Sequence, residues 1–376
     1  MRPHFRSVPT GFVGFAFMAF AALILSGCNS DDTKPPTSGG AAATSAGENQ
    51  PTSAGATPTT TGTASAAGNF KIALVETGSK SDNGWNAEGV KALETVQKEF
   101  NLAPDNVKSV ENQTSPQDQE NSMKDFAAKK FNIVFCHGAE YQSIALKIEK
   151  DFPNTLFVIS SGEKAGHNTL PIILKLEDGA YLEGMLAAGM SKTGKIGAVG
   201  AEKIAPLERI FKAYEMGAKS INPKITVVPA TYTEDWADAG KAKQQTLALL
   251  NQGCDVIIQD LDTAAQGVFN AVQEYDKGGK TAYALGTNSD QNGVAPDVIL
   301  ASAPIYSEKA WVQIVKEAQA GTLKPSEKPY GMKEGVVDFI FNPKFDTKIP
   351  ADLKTKIEGT KKKIADGSFD VSKGTP

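Results

Sequence analysis

Histidine, cysteine and excess positive charge are all scarce in this chain, and each scarcity removes a class of function. The only histidines among 376 residues are His4, His137 and His167, too few and too scattered for the histidine sets that hold a catalytic metal. Three cysteines, Cys28, Cys136 and Cys254, exclude a disulfide scaffold by count. Cys136 and Cys254 lie at apolar, strand-like runs and read as buried structural residues. The 39 Lys and Arg are outnumbered by 43 Asp and Glu, a net charge of -4, and no basic stripe is present, so nucleic acid is not an expected partner. Also missing are a G-x-S-x-G nucleophile elbow, a serine with a credible base, and a Walker-type phosphate loop. No catalytic residue, metal or cofactor is therefore expected, and the chain does not read as an enzyme.

What is there begins with an address. Arg2 and Arg6 precede GFVGFAFMAFAALIL, an apolar segment of secretory-signal length, and LSGC follows at once. Leu25, Ser26, Gly27 and Cys28 resemble the lipobox of bacterial lipoproteins, in which the cysteine is lipidated and becomes the first residue after cleavage. Residues 1–27 read as signal peptide and Cys28 as the lipid anchor; an uncleaved membrane span, the alternative, needs ~20 apolar residues. Residues 28–68 are almost entirely Ser, Thr, Gly, Ala and Pro with scattered polar residues, a tether that cannot form a core. The globular part is expected to work outside the cytoplasm, in the periplasm or at the cell surface.

From residue 70 the pattern alternates. FKIALV, NVKSVEN, FNIVFCH, TLFVISS, KIGAVGA, ITVVPATY, CDVIIQDL, TAYALGT and VILASAP are short, rich in Val and Ile and bounded by turn residues. Helical stretches such as NAEGVKALETVQKEF and LERIFKAYEMGAKSI lie between most of them. Strands alternating with helices predict an α/β fold of βαβ units with parallel sheets. FNIVFCHGAEYQSIALKIEKDF and CDVIIQDLDTAAQGVFNAVQEY share one layout, which predicts two similar Rossmann-like lobes.

Ligands of open parallel sheets bind beyond the carboxyl ends of the strands, so the loops there supply the candidates. Trp85, in ETGSKSDNGWNAEG, and Trp236, in ATYTEDWADAG, each follow a strand, one in each half. Two flat rings across a cleft can sandwich a planar ligand; the competing role is packing on their own helices. Asp260 and Asp290 end strands of the second half and can accept hydrogen bonds from sugar hydroxyls or ring N–H groups. Helix N-capping is the competing role for such aspartates and weighs most against Asp262, which precedes Thr263. Asn288 offers a donor and an acceptor together. His137 and Glu140, after FNIVFC, are expected to line the cleft or to give a ligand one hydrogen bond, with Ser161 beside them.

FKIALVETGSKSDNGWNAEGVKALE, NIVFCHGAEYQSIALKIEKDFPNTLFVIS, EDGAYLEGMLAAGMSKTGKIGAVGA and INPKITVVPATYTEDWADAGKAKQQTLALLNQGCDVIIQ together resemble the basic membrane protein (BMP, PnrA-like) family. The resemblance spans residues from about 70 to 345. It implies a substrate-binding lipoprotein of an ABC importer with a type I periplasmic binding protein fold, whose two lobes close on a ligand at a hinge. It also implies a purine nucleoside or nucleobase ligand, stacked on Trp85 and Trp236 and read by Asn86, Asp260 and Asp290, to which the reading of the loops adds Asn288. The chain departs from the family pattern in its first loop, at Ala139, where a Phe is common, and at Ser160 and Ser161, where a strand often ends in Asp; these changes bear on the sugar pocket. Lobe I is expected over 69–176 and 303–332, and lobe II over 177–302 and 333–376. The expected partners are a permease and the membrane through the lipid, with the protein itself a monomer. A receptor for another small ligand, such as a sugar or signalling molecule, and a ligand sensor are the alternatives.

Overall fold

A computed structural model describes residues 70–373, all within one compact unit. The signal-like segment, Cys28 and the tether lie outside the described residues.

The chain first forms strands β1 (Ile72–Glu76), β2 (Val107–Val110), β3 (Ile133–His137), β4 (Leu156–Ser160) and β5 (Thr169–Leu174), with helices α1 (Trp85–Glu99), α2 (Pro116–Ala128) and α3 (Tyr141–Ile148) among them. It then crosses to α4 (Glu177–Met190), β6 (Lys195–Gly200), α5 (Ala205–Ile221), β7 (Thr226–Val227), β8 (Thr231–Tyr232), α6 (Ala239–Asn251), β9 (Val256–Asp260), α7 (Ala265–Lys277), β10 (Tyr283–Asn288) and β11 (Ile299–Pro304). Helix α8 (Ser307–Gln319) and β12 (Lys328–Tyr330) return to the first lobe; β13 (Ile340–Phe341) and α9 (Ala351–Ala365) belong to the second.

The first sheet has the order β2-β1-β3-β4-β5-β12 and is parallel throughout. The second runs β7-β6-β9-β10-β11-β13, with β8 also on β6, and only β13 is antiparallel. Because these strands are buried on both faces, they are apolar at consecutive positions. Ile72 and Leu74 pack with Ile133, Phe135 and Trp311 on one face, while Ala73 and Val75 pack with Val134, Cys136 and Phe157 on the other. The second sheet divides likewise, Val256 and Ile258 facing α4 and α5, Ile257 facing α6 and α7. Cys136 and Cys254 are buried and free, as their apolar settings imply.

Two departures from the sequence pattern have a common cause. ITVVPATY is two short strands, β7 and β8, rather than one, because Pro229 between them has no N–H to give a ladder. β5 carries Pro171 and β12 carries Pro329, and proline inside a run argues against a strand when only the sequence is read. Among the described residues, no helix is long and apolar enough to cross a membrane.

Helices α4 and α5 meet backbone to backbone. A Cβ at Gly217 would lie 1.9 Å from the Tyr181 carbonyl oxygen, and one at Gly184 would lie 2.0 Å from that of Tyr214. Backbone cannot yield as a side-chain tip can, so Gly217→Ala is expected to lower the unfolding free energy by about 1–3 kcal/mol. Urea denaturation checks this, and an unchanged midpoint would refute the close packing.

Candidate ligand-binding site

In the first sheet the strand order reverses between β1 and β3, and in the second between β6 and β9. Such switch points leave a crevice at the carboxyl ends of the strands, and here the two crevices face one another. A cavity of about 870 Å³ lies between them, lined from one lobe by residues such as Thr77, Glu140 and Ser161 and from the other by Glu202, Trp236 and Asp262. A deeper cavity of about 70 Å³ adjoins it, with Trp85, Trp236, Asp260, Asp262 and Asn288 in its wall. Ser161, just after β4, and Asn288, at the end of β10, lie in the left-handed region, at φ 56° and 66°, an uncommon conformation outside glycine. Both line the deeper cavity.

Trp85 opens α1, and its position is over-determined. Its indole lies 4.1 Å from the His137 ring at 18°, and its Nε1–H donates to the His137 carbonyl at 3.1 Å. The Trp85 carbonyl can only accept, so His137 Nε2 carries the proton donated to it at 3.0 Å, and Nδ1 accepts from the Ser160 hydroxyl at 2.9 Å. Burial lowers the His137 pKa to about 3, so the ring is neutral. Its edge meets Trp311 of α8, which stacks on Phe135 at 4.1 Å. His137 therefore does not line the cleft: it is fully buried, both ring nitrogens are taken by the protein, and it backs Trp85. Trp311, invisible as a site residue in the sequence, completes this support.

Asn86 also differs from its expected role as a ligand reader. Its Oδ1 accepts from Gly78 N–H at 3.0 Å, and its Nδ2 donates to Asp82 at 2.8 Å and to Asp262 at 2.9 Å. The buried amide is spent on the protein, and the last of these bonds joins the two lobes. Asp82 in turn accepts from the N–H groups of Gly84, Asn86 and Ala87, which satisfies the free donors at the start of α1. The Gln291 side chain donates to the Asn83 carbonyl at 3.1 Å, and Arg209 pairs with Glu163 at 2.7 Å, so two further residues of the first lobe, Asn83 and Glu163, touch the second.

Of the two aspartates favoured from the sequence, only Asp260 lines the cavity. It is buried, accepts from Asn288 Nδ2 at 3.0 Å, and burial raises its pKa to about 6 against that hydrogen bond. Asp290 is exposed, stands outside both cavities and accepts from Asn292 N–H in its own turn; β10 ends two residues earlier, and the left-handed Asn288 diverts the chain. Asp262, discounted as a helix cap, lines both cavities, and burial followed by the nearby Asp82 holds its pKa well above the ordinary value. Its signal in the sequence was the Asp-x-Asp spacing after β9. Glu140 sits at the rim, where it accepts from the Thr77 hydroxyl.

A family model described as "ABC transporter substrate-binding protein PnrA-like", Bmp, matches residues 70–370. The chain belongs to the Bmp family. Among its curated relatives it is 29% identical over 321 residues to a purine-binding protein of Brucella abortus (strain 2308), covering 83% of this chain and 86% of that protein. It is 28% identical over 277 residues to a transcriptional activator protein of Bacillus subtilis (strain 168), covering 73% and 84%. A solved solute-binding protein of an ABC transporter system from Aeropyrum pernix K1 superposes with a TM-score of 0.71 at 19% identity, covering 80% of this chain and 92% of that one, a likeness of fold. This Bmp protein is thus an ABC transporter substrate-binding protein by family, and its fold is like that of the Aeropyrum protein.

One buried acid of this Bmp protein stands just behind the site. Glu76 ends β1, fully buried, with both carboxyl oxygens unpartnered, and burial pushes its pKa up to about 9. The folded state therefore holds a proton that the unfolded chain releases near the ordinary carboxyl pKa, and the stability this group contributes is lost as pH rises towards 9. Urea unfolding from pH 5 to 9 is expected to show a shallower loss of stability in Glu76→Gln than in the wild type; parallel curves would mean that Glu76 is ionised.

Proposed function

We propose that this chain is the lipid-anchored solute receptor of an ABC importer and that it captures a purine nucleoside or nucleobase between its lobes. The observation that carries the reading is Trp85, one ring face backed by His137 and the ring itself in the wall of a cavity that Trp236 of the other lobe also lines. A flat heterocycle is the ligand that uses two such rings, since every base has a π-face and stacking contributes about 1–3 kcal/mol per base.

The polar wall agrees with a neutral, donor-rich molecule. Asp260, Asp262 and Asn288 surround the deeper cavity, with Glu140 and Ser161 beside them, and these groups accept hydrogen bonds from ribose hydroxyls or ring N–H groups. Among the described residues, no Lys or Arg lines either cavity, which disfavours phosphorylated nucleotides. The Brucella relative, a purine-binding protein, points to the same ligand class. Closure of the lobes on the ligand is a population shift, helped by the bond from Asn86 to Asp262. Cys28 carries the lipid in this reading. Ligand sensing is the second reading, favoured by the likeness to the Bacillus activator; a deletion strain that imports nucleosides normally but changes its nucleoside-dependent transcription would select it.

Calorimetric titration of the full chain with adenosine, guanosine, inosine and the free bases tests the ligand. Trp85→Ala and Trp236→Ala are each expected to weaken binding about tenfold or more with the thermal unfolding midpoint little changed, and AMP is expected not to compete. Unchanged affinity in both variants would remove the stacking reading.

A further inference from the structure

Glu183 has no part in the contacts described so far, yet it is buried beside them. It sits on α4, whose residues are buried almost from end to end, and its own side chain is fully enclosed with neither carboxyl oxygen partnered. A buried carboxyl with two empty oxygens destabilises a fold relative to an apolar side chain of the same size, so packing gives no reason for it. Burial, followed by the nearby Asp260, holds its pKa well above the ordinary range.

The space in front of it does give a reason. A recess of about 10 Å³ is lined by Glu183 together with Asp260, Thr287 and Asn288, and it shares Leu176, Asp260 and Asn288 with the deeper ligand cavity. Such a volume takes one water molecule or one group of that size. The other polar groups of the recess are engaged: the Thr287 hydroxyl donates to the Gln259 carbonyl at 3.0 Å, and Asn288 Nδ2 donates to Asp260 at 3.0 Å. Glu183 is the group there with both oxygens open.

We propose that Glu183 is a ligand-reading residue: at the floor of the recess behind Asp260 and Asn288, its carboxyl accepts a hydrogen bond from one hydroxyl or amino group that the bound nucleoside inserts there. The assignment rests on the nucleoside reading above. It makes Glu183 a selector for the presence of that one donor, because a site built to bond a donor rejects the analogue that lacks it.

The test pairs ligands that differ by one donor: adenosine with purine riboside, guanosine with inosine, and each parent with its 2′-, 3′- and 5′-deoxy forms. Affinities are measured by calorimetry for the full chain as wild type, as Glu183→Met, which fills the space, and as Glu183→Ala, which opens it to water. In the wild type one deletion is expected to weaken binding about tenfold. In the variants the parent should fall to the level of that analogue, while the analogue itself changes little. Either variant suffices if the other fails to fold. Parallel weakening of parent and analogues, wild-type affinities in the variants, or a wild type indifferent to every deletion would overturn the assignment while leaving the nucleoside reading in place. A wild type that binds no nucleoside overturns both.

Discussion

The side-chain amide of Asn86 holds together the three pieces on which the site depends. Its oxygen takes the N–H of Gly78 just beyond β1, and its nitrogen donates to Asp82 ahead of α1 and to Asp262 beyond β9. An amide buried in a low-dielectric interior tolerates no partial satisfaction, so the loop, the start of the helix and the opposite lobe are placed together. Trp85 precedes Asn86 by one residue and is carried into the cavity wall by the same bonds. His137 and Trp311 then fix the plane of its ring from behind.

Acids surround this arrangement, and burial disfavours the ionised form of several of them. Burial raises Glu76 to about 9, Asp260 to about 6 and Glu88 to about 8. Glu88 shows what one of them does for the fold. It accepts from Ser307 N–H at 2.8 Å, tying α1 to the first turn of α8, just after the chain has crossed back from β11. A carboxyl kept neutral by burial can stand next to other acids without the repulsion that charges would bring. With the Asp262 pKa held well above the ordinary range, Asp260 and Asp262 share one end of the cleft with no Lys or Arg in the described lining.

The two-lobed architecture follows from the same economy. Each parallel sheet delivers its carboxyl ends to a single edge, and each reverses its strand order once, so each lobe has one crevice. Setting the crevices face to face turns two shallow grooves into an enclosed site. Direct bonds from Asn86 to Asp262, from Gln291 to Asn83 and from Arg209 to Glu163 join the two lobes.

Consecutive apolar residues bounded by turn residues determined the α/β class, the sequence of βαβ units and the buried thiols, because strands covered on both faces must be apolar at every position. Trp85, Trp236, Asp260 and Asn288, expected from the sequence at strand ends, line the deeper cavity for a related reason: the crevices of such sheets lie beyond the carboxyl ends of their strands. Tertiary structure alone decided which polar residues face the cavity. His137, Asn86 and Asp290 had the right chemistry and the right loops, but two are consumed by internal hydrogen bonds and the third turns away after a left-handed residue. Asp262 and Trp311 act across long stretches of chain, on partners from another lobe or strand. Local pattern carries which face of a strand is buried; it does not carry which distant atom completes a hydrogen bond, because that depends on how separately formed elements dock.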